Sequence, residues 1–273
     1  MTLLCSRTEI VTIFETILTS QNEGKWDTLG SLVQPTVTIN NIAQQRDVFI
    51  AGLHSAIENE VILSRLDSCV VDVNTQAIAA RIIKSPDALT QESRQYQEIT
   101  LAWFVDGRLS ALKTLQDNDA RRAGRGVEAK TPAHHLESTP TSLHLEAVYR
   151  DYIRSINDKT MESSFEKFCQ PSVTHNAKTR TVAEYISLIQ ESQTAIDSLH
   201  FDIQDLVVDN ESGRLAARLE FTGLPVKRWA DAEPNGKHVK FHEHVMYWFD
   251  KGKIHWVWSI VDLDSYRNQL QES

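Results

Sequence analysis

The sequence predicts an α+β protein of two tandem cone-shaped units, each a curved, mostly antiparallel sheet wrapped around N-terminal helices. Three observations carry that prediction. The chain repeats itself at long range, since LVQPTVTINN at 32–41 and FCQPSVTHNA at 168–177 share Gln, Pro, Val, Thr and Asn in register. Helical periodicity precedes strand periodicity in both halves. Each half then ends on strands joined by short turns of Asp, Asn, Lys and Gly.

The repetition continues beyond that phrase. AARIIK (79–84) aligns with AARLEF (216–221), and YQEITLAWFVDGRL (96–109) with FHEHVMYWFDKGKI (241–254). The last pair shares Glu98/Glu243, Trp103/Trp248, Phe104/Phe249 and Gly107/Gly252. The offset widens along the chain, so the second copy carries insertions, chiefly PVKRWADAEPNGKH. Self-similarity of this kind marks a tandem duplication. Residues 118–141 lack hydrophobic periodicity and are rich in small, polar and proline residues, which predicts a linker between units 1–117 and 142–273.

Within each copy the elements follow in order. EIVTIFETILTS and LEAVYRDYIRSI place apolar residues at i, i+3, i+4 and i+7, an amphipathic helix. A short helix around Trp26–Val33 or Met161–Cys169 stops ahead of Pro35 or Pro171, which cannot continue it. VTIN or VTHN then forms a short strand, followed by a second helix in RDVFIAGLHSAI or TVAEYISLIQES. SCVVDVN and AIAARIIK are strands, as are HFDIQDLVVD and RLAARLEFTG, the latter two joined by the turn DNESG. Two long strands finish each copy around VDG or DKG, which suit tight hairpins.

The totals narrow the function. A chain of 273 residues, 41% hydrophobic, can bury a core in each half. A net charge of −9, with RRAGRG at 121–126 as the basic cluster, argues against a nucleic-acid partner. Cys5, Cys69 and Cys169 are odd in number and scattered, so reduced thiols are expected rather than disulfides or a zinc site. No run approaches the roughly 18 apolar residues of a membrane helix, and MTLLCSRTEIV lacks the features of a signal peptide. A cytoplasmic protein without a membrane partner is expected.

Four features carry a family resemblance. They are VTHN with His175, ARLEFTG (217–223), the run FHEHVMYWFDKGKI, and the spacing of Trp258, Asp262, Gln269 and Leu270. From about 143 to the C-terminus the chain resembles the SnoaL-like polyketide cyclases of the nuclear-transport-factor-2-like superfamily, with weaker likeness over 7–117. The resemblance implies a cone-shaped pocket open at one end, an apolar polyketide-like substrate, and work without metal or organic cofactor. It also implies that the acid/base residue is Asp262, and that the two units pair sheet against sheet as a pseudo-dimer, with further oligomerisation open. The chain departs from the family in its fused second copy, and in Trp248, which stands where some cyclases have a histidine.

The residues themselves support a set of candidates. Ile254, Trp256, Trp258, Ile260 and Asp262 share one strand face by period two, and burial there would raise the Asp262 carboxyl toward a range useful for proton transfer. Asp117 at the matching place in the first copy fits a strand-end cap equally well. The second copy gains His175, Glu220, His242 and His244 where the first has Ile39, Ile83, Gln97 and Ile99, which suggests one polar pocket. In it Asp262 and one histidine, His175 or His244, would exchange protons with the substrate, and Glu220 would orient or assist. His242, Trp229, Tyr247, Trp248, Trp256 and Trp258 would bind a flat apolar substrate, with the long insertion as a lid. Gly236 followed by His242-x-His244 matches the first half of the cupin metal motif, and His242, His244, Glu220 and His175 are of the types that ligate metals. The Glu that should follow is absent and the helix-first order is wrong for a cupin, so no metal is expected. The first copy, apolar at these positions, is expected to be degenerate and structural. Two functions follow: a cofactor-independent cyclase or isomerase acting on a polyketide, terpenoid or alkaloid intermediate, or a non-catalytic small-molecule binding or scaffold protein.

Overall fold

In a computed structural model of the protein, residues 4–60, 62–86, 95–124, 126–127, 131 and 144–271 are described. The chain divides into two units, Met1–Pro132 and Ala133–Ser273. The first contains α1 (Arg7–Asn22), α2 (Trp26–Ser31), β1 (Val33–Ile39), β2 (Ile42–Gln45), α3 (Arg46–Asn59), β3 (Ile62–Asp72), β4 (Ala77–Pro86), β5 (Tyr96–Val105), β6 (Arg108–Gln116) and α4 (Asn118–Ala123). The second repeats the order with α5 (Leu145–Asn157), α6 (Met161–Phe168), β7 (Cys169–His175), β8 (Lys178–Thr181), α7 (Val182–Ala195), β9 (Ile196–Asp209), β10 (Arg214–Pro225), β11 (Val239–Asp250), β12 (Lys253–Val261) and α8 (Leu263–Gln271). Within the expected linker 118–141, residues 118–123 form α4, and most of the remainder lies outside the described residues. No helix among the described residues is long and apolar enough to cross a membrane.

Each unit holds one six-stranded sheet, in the orders β2-β1-β6-β5-β4-β3 and β8-β7-β12-β11-β10-β9. All neighbours are antiparallel except β1 with β6 and β7 with β12, which run parallel. The first helix of each unit lies against the sheet: in the second, Tyr149, Tyr152, Ile153 and Ile156 of α5 form a buried cluster with Leu219, Val245, Tyr247 and Val257. The apolar spacing of this helix is thus what closes the concave side of the sheet. Two helices begin with capping boxes. Ser6 Oγ accepts from the Glu9 amide while Glu9 accepts from the Ser6 amide, and Thr181 and Glu184 do the same at α7.

The repeated phrase is architectural. Gln34 Nε2 donates to the Val105 carbonyl at 2.6 Å, and Gln170 Nε2 to the Asp250 carbonyl at 2.7 Å, so each Gln anchors the final hairpin. Val37 and Val173 are fully buried. Asn40 and Asn176 both sit at φ +46°, a left-handed conformation that Asn tolerates, and carry the chain into the turn before β2 or β8. From there Asn176 Oδ1 accepts from the Ser259 amide at 2.9 Å and its Nδ2 donates to the Ser259 carbonyl at 3.0 Å, gripping β12. Asn40 accepts from the Thr114 amide at 3.0 Å in the same way. The final hairpins turn through Asp106-Gly107 and Lys251-Gly252, all at positive φ, as a two-residue hairpin with the strands' own twist requires.

The register of β10 on β9 shifts between Thr222 and Leu224. Gly223 sits in that irregularity, where a Cβ would come within 2.6 Å of Ile196 Cγ2 and 2.9 Å of the Asp197 carbonyl oxygen. Gly223→Ala is therefore expected to cost about 1–3 kcal/mol through overpacking against backbone, read as a lower denaturant midpoint. An unchanged midpoint would show that the bulge opens freely.

Candidate functional site

The second unit encloses a cavity of about 170 Å³ between α5, α7 and the concave face of its sheet. Side-chain alternation on β11 decides what reaches it. Glu243, Val245 and Tyr247 line the cavity, and the intervening residues project to the other face. On β12 the inward set is Val257, Ser259 and Val261, because a register irregularity between β11 and β12 near residue 255 resets the alternation after Ile254. The rest of the wall includes Tyr152, Ile156, His175, Tyr185, Phe221 and Trp229.

Glu243 is the charged group in this wall. Ser259 Oγ donates to its carboxyl, and Ser259 is itself held by Asn176, so the carboxyl is fixed by a chain of bonds running back to the repeated phrase. Glu243 and His175 each keep some accessible surface and yet are enclosed by the unit, because the surface they show is the cavity's own. Burial pushes the Glu243 carboxyl up to about 7, against the pull of the Ser259 hydrogen bond. Burial, with Arg180 nearby, pushes the His175 imidazole down to about 4, so it is neutral at pH 7. Its ring lies 5.7 Å from that of Tyr185, and the Tyr185 and Tyr152 hydroxyls are 3.1 Å apart. Burial raises both phenols, keeping them protonated. One of the two hydroxyls donates to the other, which leaves the second O–H to serve a different acceptor.

Three of the candidates taken from the sequence meet here: His175, Tyr247 and Trp229. Trp229 reaches the wall from the long insertion, where Trp229 and Ala232 bond reciprocally through their backbones at 3.1 and 3.0 Å. It packs edge-on against Tyr266 of α8, with centroids 5.0 Å apart.

The other candidates lie elsewhere. His242, His244 and Trp248 occupy the outward phase of β11, and Trp256 and Trp258 the outward phase of β12. Glu220 also faces outward, bonded to Lys240 at 2.8 Å and His242 at 3.3 Å. Burial alone would raise the Glu220 carboxyl, but Lys240 and His242 hold it below its ordinary value. The expected convergence of His175, Glu220, His242 and His244 is thus corrected. The last three were matched across a strand face that points away from the cavity. Asp262 begins α8, with Oδ1 accepting from the Ser265 amide at 3.0 Å and Oδ2 from Ser265 Oγ at 2.6 Å, and it does not line the cavity. Asp117 makes the same cap at α4, accepting from the Ala120 amide at 2.9 Å. That shared cap accounts for an Asp in both copies.

The signal missed in the sequence was Glu243, together with Tyr152, Tyr185 and Ser259. In FHEHVMYWF the face Phe241, Glu243, Val245, Tyr247 and Phe249 is more apolar than His242, His244, Met246 and Trp248, and it is the face that meets the core. Among the described residues no group of three or more His, Cys, Asp or Glu side chains is placed to hold a metal ion.

Residues 146–270 match the family model described as SnoaL-like polyketide cyclase. Similar solved structures include a SnoaL-like polyketide cyclase from Agrobacterium tumefaciens strain C58, 33% identical over 47% of this chain and 98% of that one, with TM-score 0.44. Others are a putative polyketide cyclase from Acidithiobacillus ferrooxidans (21% identity, 48% of this chain, 96% of that one, TM-score 0.43) and IdmH, a putative polyketide cyclase from Streptomyces antibioticus (16%, 47%, 99% and 0.42). No curated protein matches the chain. The chain belongs to the SnoaL-like polyketide cyclase family, and the family match falls in its second unit.

Two outcomes are expected. Asp262→Ala should lower stability by about 1 kcal/mol, and Asp262→Asn, which can still cap, by much less; equal losses in thermal melts would exclude capping as its role. For Glu243 the unfolded carboxyl titrates near 4.3 and the folded one near 7. Between those values the folded chain holds the extra proton, so stability falls as pH rises through that window. Glu243→Gln should therefore stabilise the protein at pH 8, by up to roughly 3 kcal/mol, and change it little at pH 4. Denaturant titrations at the two pH values check this, and a loss of stability at pH 8 would contradict it.

Proposed function

We propose that the second unit is a cyclase or isomerase whose acid/base residue is Glu243, acting on a compact, apolar, ketone-bearing small molecule. The observation that supports this reading is a single carboxyl, held in a mostly aromatic and aliphatic cavity and poised near neutrality. A general base works best when its pKa lies close to the working pH, since it is then ionised often enough and still holds a proton firmly. Family membership supports the reaction class.

The chemistry proposed is proton transfer at carbon. The Glu243 carboxylate takes a proton from the carbon next to a substrate carbonyl, and the C–H electron pair forms the enolate. A hydroxyl of the Tyr152–Tyr185 pair, or the neutral His175, donates a hydrogen bond to the enolate oxygen. In a cyclisation the enolate carbon then attacks a second carbonyl of the same molecule. The alkoxide so formed recovers the proton from Glu243. In an isomerisation the proton returns to a different carbon. Either route is redox-neutral and balances within one substrate. The apolar wall keeps the carboxylate desolvated, which strengthens it as a base. A cavity of about 150 Å³ takes up benzene, so about 170 Å³ suits a substrate portion of one to two rings without rearrangement.

Deuterium exchange at the α-carbons of the bicyclic ketone 2-tetralone, followed by NMR in D2O, tests the assignment without knowledge of the natural substrate. The wild-type chain should accelerate exchange, with a rate that climbs through pH 7 as Glu243 ionises. Glu243→Gln should lower that rate by about 10²-fold or more, and His175→Ile, which restores the residue of the first copy, by about tenfold. Equal exchange by wild type and Glu243→Gln would remove the acid/base role and leave a binding protein.

A further inference from the structure

The first unit has a cavity of its own, at about 240 Å³ larger than that of the second. It lies at the equivalent place, between α1, α3 and the concave face of the sheet, lined by Phe14, Leu18, Phe49, Leu53 and Ile82 with a polar band across β4, β5 and β6. The expectation of a degenerate first unit rested on Ile39, Ile83, Gln97 and Ile99. The inward residues of its central strands tell a different story. Lys84 stands where the second unit has Phe221, Tyr96 where it has Phe241, and Gln116 where it has Val261. This cavity is therefore not stripped of polar groups.

Its charges are already matched. Glu98, the counterpart of Glu243, pairs with Lys84 at 3.5 Å and accepts from Thr100 Oγ1 at 3.0 Å and Gln116 Nε2 at 2.9 Å. Glu60, the other lining carboxylate, pairs with Arg121. Two hydroxyls are different. Tyr96 Oη and Thr114 Oγ1 both belong to cavity-lining residues, are buried, and have no hydrogen-bond partner among the described residues. Tyr96 as a whole is 1% exposed. A buried hydroxyl without a partner is destabilising, and two in one cavity ask for an occupant that satisfies them.

We propose that the first unit is a second small-molecule site, which binds an uncharged ring compound carrying a ketone or alcohol oxygen. The apolar wall takes the rings. The hydroxyls of Tyr96 and Thr114 supply the free hydrogen-bonding capacity, and a hydroxyl can donate to a carbonyl or exchange bonds with an alcohol. A charged ligand finds no uncancelled partner, because the acidic groups in the wall are already paired with Lys84 and Arg121. Glu98 is held in place by three neighbours, so this site is built to bind rather than to move a proton.

The test uses the full chain and the neutral naphthyl ketone 6-propionyl-2-(dimethylamino)naphthalene, whose emission reports entry into an apolar site. Titration should show saturable binding, weakened at least tenfold in the Tyr96→Phe/Thr114→Val double variant, whose melting temperature should hold or rise because the deleted hydroxyls lack partners. Thr100→Trp, which fills the same cavity, should abolish this component, and any binding that survives it belongs to the second unit. Full-strength binding in the double variant, or no component sensitive to Thr100→Trp in a folded chain, would overturn the proposal.

Discussion

The structure turns on the phase of one strand. β11 alternates Phe241, Glu243, Val245 and Tyr247 with His242, His244, Met246 and Trp248, and only one set can face the helices. Both sets are largely buried, so apolar continuity toward the helices decides which. The set with the larger continuous apolar surface goes inward, and it brings Glu243 with it. The cost of placing a carboxyl in that environment is what lifts it toward neutrality. A shift of a single residue would withdraw Glu243 from the cavity and bring His242 and His244 in beside His175.

That phase is held by a connected framework. The parallel pairing of β7 with β12 brings the turn at Asn176 beside Ser259, and Asn176 grips the Ser259 backbone at two points. Ser259 then holds Glu243. On the far side α8 is fastened to β11 by Gln269, which bonds both the amide and the carbonyl of Lys240, and to the long insertion by Asn235. The spaced residues that resemble the family in this region therefore serve architecture. Asp262 starts α8, Gln269 ties it to the sheet, and Leu270 enters the core. They mark the fold, while Glu243, the carboxyl in the cavity wall, stands on β11.

Duplication left two copies of one frame with different interiors. The residues retained in both, such as Gln34/Gln170, Val37/Val173, Asn40/Asn176 and Asp117/Asp262, make equivalent contacts in each. Glu98 and Glu243 are also retained, but their neighbours differ. Lys84, Thr100 and Gln116 surround the first with partners, whereas Phe221, Val245 and Val261 leave the second with Ser259. The same side chain has an ion-pair partner in one environment, and in the other it is buried without one and pushed up to about 7. The difference lies in desolvation and pairing.

The sequence by itself determined the frame: two copies, helices before strands, tight hairpins at Asp106-Gly107 and Lys251-Gly252, and His175 as the imidazole that replaces Ile39. Those features are local or periodic, so they survive without knowledge of long-range contacts. Tertiary structure alone decided which face of each strand looks inward, because period two offers two equivalent answers until a helix packs on one of them. The register shift near residue 255 then moved Trp256 and Trp258 outward and Ser259 inward. Likewise, a strand-end Asp in both copies could be read as catalyst or cap. The Ser265 amide, three residues away and oriented by a helix that packs on the sheet, makes Asp262 a cap.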